Sequence, residues 1–400
     1  MEGKRVITSL NLQNFLSFGS DAQEIELQPL NVLIGPNASG KSNFIEAFRI
    51  LNAAPEDIGK PIREGGGINE YLWKGSLSEL WLELQVVVNW QDSDFPLLYA
   101  LSLSGNHSLM YVVSETIKLV SPTINKQFPE FFYSTGRHGY GELISRIPID
   151  KEPFYRFVKS NIVPVPSHSV LSQYKNPDNL PSFSRLQDVF SSIHFYGSLN
   201  LGKYGLLRYP QRADLPSTTL LEDGSNLALV LLNKSASVRQ EITERLKVVL
   251  PSIEEIFPKL EGGTVPLYFR EKGFSNPIPA TRLSEGTLRY LCLLALLLDP
   301  TPPPIICLEE PEVGLHPHVI PHIAELLIDA SQRTQLIVTT HSDALISGLS
   351  EHPEAIIICE RDDEGTKLRR LEAEQIKPWL DRYAIGDLWR MGEKIGRAHV

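Results

Sequence analysis

The sequence predicts an α/β fold in which a mixed, largely parallel sheet is flanked by helices. Strand and helix patterns alternate in the first and last thirds of the 400-residue chain, as expected when helices cross over between parallel strands. A glycine-rich loop at residues 35–40 joins an apolar strand to a helix. Residues 78–120 alternate with a period of two, which indicates an added antiparallel β meander.

The N-terminal third contains three predicted strands, a helix and the meander. Residues 6–12, 25–27 and 31–34 are interpreted as paired strands, and the third is apolar enough to be buried. A helix is predicted over residues 41–52, because Phe44, Ile45, Phe48 and Leu51 recur at helical spacing. The dipeptide at residues 105–106, Gly-Asn, predicts a turn between two strands of the meander.

The middle of the chain is predicted to be irregular and partly helical. Residues 121–220 hold ten of the 29 prolines without a sustained helical pattern. Helices are expected at 223–232, with Asp223 as N-cap, and at 238–250. We therefore divide the chain into an N-terminal core part at 1–120, an insertion at 121–260 and a C-terminal core part at 261–393.

The last third again alternates helix and strand. Helices are predicted at 285–298 and 317–330, and apolar strands at 305–308 and 336–340. A hairpin at 355–371 follows, and the segment Asp-Asp-Glu-Gly at 362–365 is its turn rather than a metal loop. Residues 394–400 match a translated sequencing adapter, so we expect an assembly scar and a C-terminus cut short.

Composition excludes several classes of protein. The longest apolar run, residues 291–298, has eight residues, whereas a membrane-spanning helix needs about twenty. No apolar signal core stands at the N-terminus, and the three cysteines are far apart in apolar runs, so we expect a cytoplasmic protein with reduced core thiols. A net charge of −10 gives no global basic surface for nucleic acid.

Residues 35–42 match the pattern G-x-x-x-x-G-K-[ST] between a strand and a helix. Glycines let backbone N–H groups surround phosphates, and the helix N-terminus adds partial positive charge. The Lys41 ammonium can reach the β- and γ-phosphates, and the Ser42 hydroxyl can ligate Mg²⁺. The predicted nucleotide-binding residues here are Gly35, Pro36, Asn37, Ala38, Ser39, Gly40, Lys41, Ser42 and Asn43.

Two further strand ends carry candidate catalytic groups. Glu309 and Glu310 follow an apolar strand, at the end where parallel sheets bind ligands. We predict that Glu309 holds Mg²⁺ and that Glu310 polarises the attacking water. His341 follows the next apolar strand, from which its imidazole can point at a γ-phosphate.

A second anion site is predicted where the helix at 285–298 begins. Ser284 and Gly286, within the sequence LSEGT, combine a hydroxyl, a small residue and free backbone N–H groups. By themselves these residues are an ordinary N-cap, and they gain weight from the other three motifs.

Taken in this order, the motifs resemble those of ABC-type ATPases of the SMC/RecF/overcoming-lysogenization-defect branch, especially its stand-alone bacterial "predicted ATPase" proteins. The matching residues are a Walker A loop (35–42), a signature (283–286), a Walker B end (308–310), a D-loop region (312–317) and the switch His341. The likeness covers residues 3–110 and 260–393. Residues 14–18 resemble the strand motif near the nucleotide base, although Leu16 stands where the family often has a basic residue.

The chain departs from the transporter-type pattern at two motifs. Glu309 replaces the Walker B aspartate, and LSEGT replaces LSGGQ; both variants suit the RecF-like side better. A Q-loop glutamine should precede the insertion, and Gln85 and Gln91 both remain candidates. The spacing of His316, His318 and His322 is broken by Pro317, which argues against a zinc site.

The resemblance implies a P-loop NTPase of the ABC-ATPase head type that binds ATP and Mg²⁺ and hydrolyses ATP. It implies a homodimer that forms around ATP and acts in DNA maintenance or anti-phage defence, with DNA or a co-encoded effector as partner and no membrane. One alternative is the ATPase part of a truncated nuclease that carries a Toprim domain. A less favoured one is the nucleotide-binding subunit of an ABC transporter.

Overall fold

The computed structural model describes residues 3–75, 81–89, 96–106, 109–120, 131–135, 140–148, 155–176, 178–197, 199–372, 374 and 384–390. In these residues the strands are β1 (Ile7–Gln13), β2 (Gln23–Glu26), β3 (Leu30–Ile34), β4 (Trp81–Val88), β5 (Leu97–Gly105), β6 (Met110–Leu119), β7 (Phe131–Thr135), β8 (Gly141–Pro148), β9 (Tyr155–Ile162), β10 (Ile193–Tyr196), β11 (Gln211–Arg212), β12 (Ile253–Pro258), β13 (Thr264–Val265), β14 (Leu267–Glu271), β15 (Ile278–Pro279), β16 (Ile305–Glu309), β17 (Gln335–Thr339), β18 (Ile356–Asp362) and β19 (Gly365–Arg370). The helices are α1 (Lys41–Ala53), α2 (Gly59–Glu64), α3 (Ile68–Tyr71), α4 (Val170–Gln173), α5 (Pro181–Ser191), α6 (Leu227–Asn233), α7 (Ala236–Leu246), α8 (Glu285–Leu297), α9 (Ile320–Ser331), α10 (Asp343–Ser347) and α11 (Ile385–Arg390).

A mixed sheet holds the residues of the predicted site. Among the described residues its strand order is β10-β16-β17-β3-β18-β19. The first five strands are parallel to one another, and β19 pairs antiparallel with β18. Every residue of β3 and β17 is buried, as in parallel sheets covered on both faces. The carboxyl ends of β3, β16 and β17 meet at one edge, which brings distant segments of the chain together.

A second sheet is antiparallel and contains the predicted meander. In the described part of the chain its order is β2-β1-β4-β5-β6-β7-β8-β9. The meander of β4, β5 and β6 is confirmed, but β3 does not pair with β1 and β2 as the sequence suggested. Strands β7, β8 and β9 continue the sheet into the segment expected to be irregular. Among the described residues of these strands, Pro148 stands at the end of β8, where a proline interrupts strand pairing least.

Helices fill both faces of the mixed sheet. On one face, Phe44 and Phe48 of α1 share a core cluster with Leu33 of β3 and with Leu84 of the meander. On the other face, Val32 and Ile34 of β3 belong to a cluster that includes residues of α6, α7, α8 and α9. Alternate residues of β3 thus enter opposite cores, as the pleat of a strand requires. This arrangement confirms the predicted α/β class.

The helices of the last third begin and end close to their predicted bounds, but the predicted N-cap of the helix at 223–232 is wrong. Asp223 is not a helix N-cap, since α6 begins at Leu227. The Asp223 carboxylate instead accepts a hydrogen bond of 2.9 Å from the Ser225 N–H, a local turn that competes with helix formation at this residue type. Residues 394–400 and Gln91 lie outside the described residues.

The described helices include none that is long and apolar enough to cross a membrane. Cys292, Cys307 and Cys359 are buried and free, as predicted. Burial raises the pKa of both the Cys292 and the Cys359 thiol to about 12. The cysteines therefore act as core residues.

Candidate nucleotide-binding site

The loop that precedes α1 is wound tightly enough to require glycine. Gly40 has a φ of 106°, and Ala38 also has a positive φ, 63°. A Cβ atom at Gly40 would lie 2.4 Å from the Thr366 hydroxyl oxygen and 2.7 Å from that of Ser17. Gly40 is therefore fixed both by its backbone angles and by the side chains packed beneath the loop.

Lys41 begins α1 and turns its side chain back into the loop. Its ammonium donates hydrogen bonds of 2.9 Å to the Gly35 and Pro36 carbonyl oxygens. Burial lowers the pKa of Lys41, and the nearby Glu310 carboxylate opposes that shift. The ammonium thus lies inside the concave loop, where a phosphate would meet both its charge and the N–H groups at the start of α1.

A cavity of about 330 Å³ opens in front of the loop. Its lining residues come from the loop, from both neighbouring strand ends and from β18. They are Asn37, Ala38, Gly40, Lys41, Ser42, Asn43, Glu310, His341 and Arg361. The structure therefore brings together eight of the residues that the sequence singled out, and Arg361 in addition. Gly35 and Pro36 contribute through their carbonyls behind the cavity, and Ser39 is buried with its hydroxyl unpaired.

Glu310 and His341 lie next to each other on the cavity wall. The distance from His341 Nε2 to Glu310 Oε1 is 3.6 Å. Glu310 has a positive φ of 44°, and its N–H donates to the Thr339 carbonyl at 3.0 Å. The chain therefore leaves β16 in a sharp turn that directs the Glu310 carboxylate towards the loop.

A buried carboxylate, Glu312, supports the histidine from behind. Its Oε1 accepts hydrogen bonds from the Thr340 hydroxyl at 2.5 Å and from the His341 N–H at 3.1 Å. Glu312 is only 8% exposed. Sequence reasoning placed it in the D-loop region without a role of its own; the pattern of a second glutamate two residues after Glu310 was the available signal.

Glu309 points away from the cavity, and its carboxylate lies 3.5 Å from the Arg49 guanidinium. Arg49 also pairs with Glu46 at 3.3 Å and with Glu222 at 3.1 Å, and it stacks over Phe195. Burial raises the pKa of Glu309, and Arg49 opposes that shift. Glu309 is the last residue of β16, and the positive φ of Glu310 turns the chain there, so the two carboxylates point in different directions and only Glu310 lines the cavity.

The donor set of the cavity fits a hard cation only in part. Ser42 and Glu310 place a hydroxyl and a carboxylate on the cavity wall, and Mg²⁺ binds through such oxygens together with phosphate oxygens. Glu309 would have to leave Arg49 to join them, so its predicted role as a metal ligand remains a prediction. Arg49 was missed by sequence reasoning, although its position seven residues after Ser42 puts both on one face of α1.

The signature residues lie apart from the cavity. Ser284 is the exposed N-cap of α8, and its hydroxyl accepts a hydrogen bond of 3.0 Å from the Thr287 N–H. A Cβ atom at Gly286 would lie 3.0 Å from the Gly314 carbonyl oxygen, so the signature packs against the D-loop region. Ser284 and Gly286 are absent from the residues that line the cavity described above.

The cavity lining includes neither the histidines considered as a zinc site nor Gln85, a candidate for the Q-loop glutamine. The Nδ1 atoms of His316 and His318 are 2.6 Å apart, and His318 Nε2 contacts the Val248 carbonyl at 3.0 Å. Among the described residues no cluster suited to a metal ion is found. Gln85 lies within β4, where its amide donates to Glu83.

Family models match both parts of the site. A model described as "AAA domain, putative AbiEii toxin, Type IV TA system" matches residues 127–347, and one described as "AAA domain" matches residues 9–52. The first range includes the signature, Glu310 and His341, and the second includes the phosphate loop.

Curated proteins and solved structures give more distant likenesses. The Old nuclease of Escherichia phage P2 is 24% identical over 398 residues, which is 93% of this chain and 62% of the nuclease. The SmcHead bound to the C-winged helix domain of ScpA is similar with a TM-score of 0.58, 16% identity and coverage of 92% of this chain and 99% of that one. The Smc head domain with an extended coiled coil bound to the C-terminal domain of ScpA, from Pyrococcus furiosus, gives 0.55 at 16% identity, covering 94% and 98%. The two Smc heads share the fold with this chain.

Proposed function

We infer the function from the premise that this chain belongs to that AAA-domain family and is an ATPase of the SMC- and OLD-like AAA type. We propose that the cavity binds ATP and that the protein hydrolyses it to ADP and phosphate. The observation that carries this proposal is the convergence of Lys41, Glu310 and His341 on one cavity from three separate segments.

In the proposed reaction, Lys41 neutralises charge on the β- and γ-phosphates while the loop N–H groups hold them. Glu310 accepts the proton of the attacking water, since its carboxylate is on the cavity wall and 3.6 Å from the His341 imidazole. His341 orients that carboxylate and contacts the γ-phosphate. Ser42, together with Glu309 once it leaves Arg49, would hold Mg²⁺, which would supply further charge neutralisation.

We also propose that two copies close around ATP. In this proposal the exposed Ser284 hydroxyl and the N–H groups at the start of α8 serve as an anion site outside the cavity of their own chain. A second chain related by a two-fold axis can place these groups over the γ-phosphate of the first, and the symmetry completes both sites at once. ATP then belongs to the interface, so hydrolysis loosens it.

The proposed setting is DNA maintenance or anti-phage defence in the cytoplasm, with DNA or a co-encoded effector as the substrate of the motor. A second candidate is the ATPase part of an OLD-type nuclease with a Toprim domain. The similarity to the Old nuclease favours it, and this chain spans 62% of the length of that relative. The genes next to this one would separate the two functions, since a co-encoded effector supports the first.

The test of the proposed ATPase compares the unaltered chain with Lys41→Ala. We expect the variant to lose ATP binding and turnover while its melting temperature stays close to that of the unaltered chain, because Lys41 serves the loop rather than the apolar core. Lys60→Ala, which removes an exposed lysine from α2, is the matched control. Tight ATP binding by Lys41→Ala would contradict the assignment of the phosphate loop.

A further inference from the structure

Arg361 is a cavity residue that no sequence motif pointed to. Strand β18 runs parallel to β3, with Ile358 opposite Ile34, the last residue of β3. Because β18 continues to Asp362, it extends beside the phosphate loop after β3 has ended. This extension brings the Arg361 side chain to the cavity wall, where its guanidinium donates to the Ala38 carbonyl at 3.4 Å.

The backbone that carries Arg361 is fastened to the underside of the loop. In the β18–β19 hairpin, Arg361 stands opposite Thr366. The buried Thr366 hydroxyl lies 2.9 Å from the Ser39 carbonyl and 2.7 Å from the Ser17 hydroxyl, and the Thr366 N–H donates to the Ser17 carbonyl at 2.7 Å. These contacts of Thr366 therefore hold the Arg361 backbone in a fixed position relative to the phosphate loop before any ligand binds.

The guanidinium has donors to spare. The ion pairs found among the described residues do not include Arg361. By contrast, Lys367 of the same hairpin lies within 3.5 Å of both the Asp21 and the Glu364 carboxylates. An arginine presents five N–H donors in a planar fork that matches phosphate oxygens. One long contact to a carbonyl leaves most of that capacity facing the cavity.

We propose that Arg361 is a second cationic phosphate ligand, which contacts the nucleotide in the same chain as Lys41. The proposal rests on the proposed nucleotide binding and adds a residue to it. Lys41 and Arg361 bring positive charge to the cavity from two different elements, α1 and β18, while Glu310 brings negative charge. A polyphosphate entering between them meets a guanidinium whose weak bond to the Ala38 carbonyl is readily exchanged for a charge-assisted one.

The test measures affinity by calorimetry for ATP and for inorganic tripolyphosphate, both with Mg²⁺. For Arg361→Ala we expect about a 10- to 100-fold loss of affinity for both ligands, the scale of one charge-assisted hydrogen bond. Arg361→Lys keeps the positive charge without the planar guanidinium, so its affinity for both ligands should lie between that of the unaltered chain and that of Arg361→Ala. Lys367→Ala removes the same charge from the same hairpin away from the cavity, and should change the affinity less than about twofold.

The outcomes separate this inference from the proposed function. Unchanged ATP affinity in Arg361→Ala, with a binding-competent unaltered chain, would overturn the role of Arg361 alone. Loss for ATP without loss for tripolyphosphate would also overturn it, because the contact would then be to the base or ribose. Absence of ATP binding by the unaltered chain would overturn both proposals. If Arg361→Ala lowers the melting temperature, Arg361→Gln, which can still donate to the Ala38 carbonyl, gives the same comparison.

Discussion

Glu312 offers the most direct test of how the site is held in place, through the change Glu312→Ala. The substitution removes the acceptor of two hydrogen bonds, from the Thr340 hydroxyl and the His341 N–H. Each hydrogen bond to a charged acceptor contributes about 1.5–3 kcal/mol, and part of this returns as water enters the vacated space. We expect a net loss of about 2–4 kcal/mol in the free energy of unfolding.

This loss can be converted into a melting temperature. At about 2.1 cal/mol/K per residue, a chain of 400 residues has an unfolding entropy of about 0.84 kcal/mol/K. The expected loss then lowers the melting temperature by about 2–5 °C. Glu312→Gln keeps one acceptor oxygen, but its amide NH₂ takes the buried position of Oε2, which has no hydrogen-bond partner. The melting temperature of this variant should therefore fall, but by less than that of Glu312→Ala.

The assay pairs thermal unfolding with ATP turnover. Because the His341 backbone loses its anchor in Glu312→Ala, the imidazole should no longer be held 3.6 Å from Glu310, and kcat should fall more than ATP affinity. Glu351→Ala, which removes an exposed carboxylate outside the cavity and the signature, controls for the change in charge. A Glu312→Ala protein with unchanged melting temperature and turnover would refute the reasoning.

Two further predictions concern hydrolysis and assembly. Glu310→Gln should keep ATP binding and slow turnover by about 10² or more, whereas Glu309→Gln should weaken the dependence of turnover on Mg²⁺; both variants are titrated with ATP and with Mg²⁺. If turnover of Glu310→Gln and the Mg²⁺ dependence of Glu309→Gln are both unchanged, the proposed division of roles is wrong. In sedimentation, Glu310→Gln with ATP and Mg²⁺ should be dimeric or larger, and adding Ser284→Arg should abolish ATP-driven association. Mixing Lys41→Ala with Ser284→Arg chains should restore at most one complete site per dimer, and full activity of Ser284→Arg alone would disprove a role of the signature in trans.

Local patterns predicted those parts of the structure that local physics determines. The strand–loop–helix around Lys41 and the cap at Ser284 are encoded within a few residues, so the sequence predicted both. The pairing of β3 was not predictable in this way, because β17 and β18 lie some 300 residues away. The position of Arg361 was not predictable either, because it depends on how far β18 extends beyond the end of β3.

The direction of the Glu309 side chain also escaped prediction. Adjacent carboxylates in a sequence suggest a shared site, but the turn at Glu310 separates them and Arg49 pairs with Glu309. Strands β7 to β9 were hidden for another reason. β7 has only five residues and β8 ends in Pro148, and the pairing of β7 with β6 and of β8 with β7 cannot be seen within any one segment.

The position of β3 between β17 and β18 has a consequence for the order in which the protein is made. The strand that carries the phosphate loop is complete when residue 34 has been synthesised, yet both of its neighbours appear about 300 residues later. At about 5–20 residues per second, a nascent chain carries this strand, which is fully buried in the folded protein, with both edges unpaired for roughly 15–60 seconds. Unpaired apolar edges invite association between chains. The eight-stranded antiparallel sheet can already assemble during that interval, because its described strands end at residue 162. Helix α1 can then pack against the apolar face of this sheet before β17 and β18 are made. Ribosome speed and chaperone supply, rather than final stability alone, then govern the yield of active molecules.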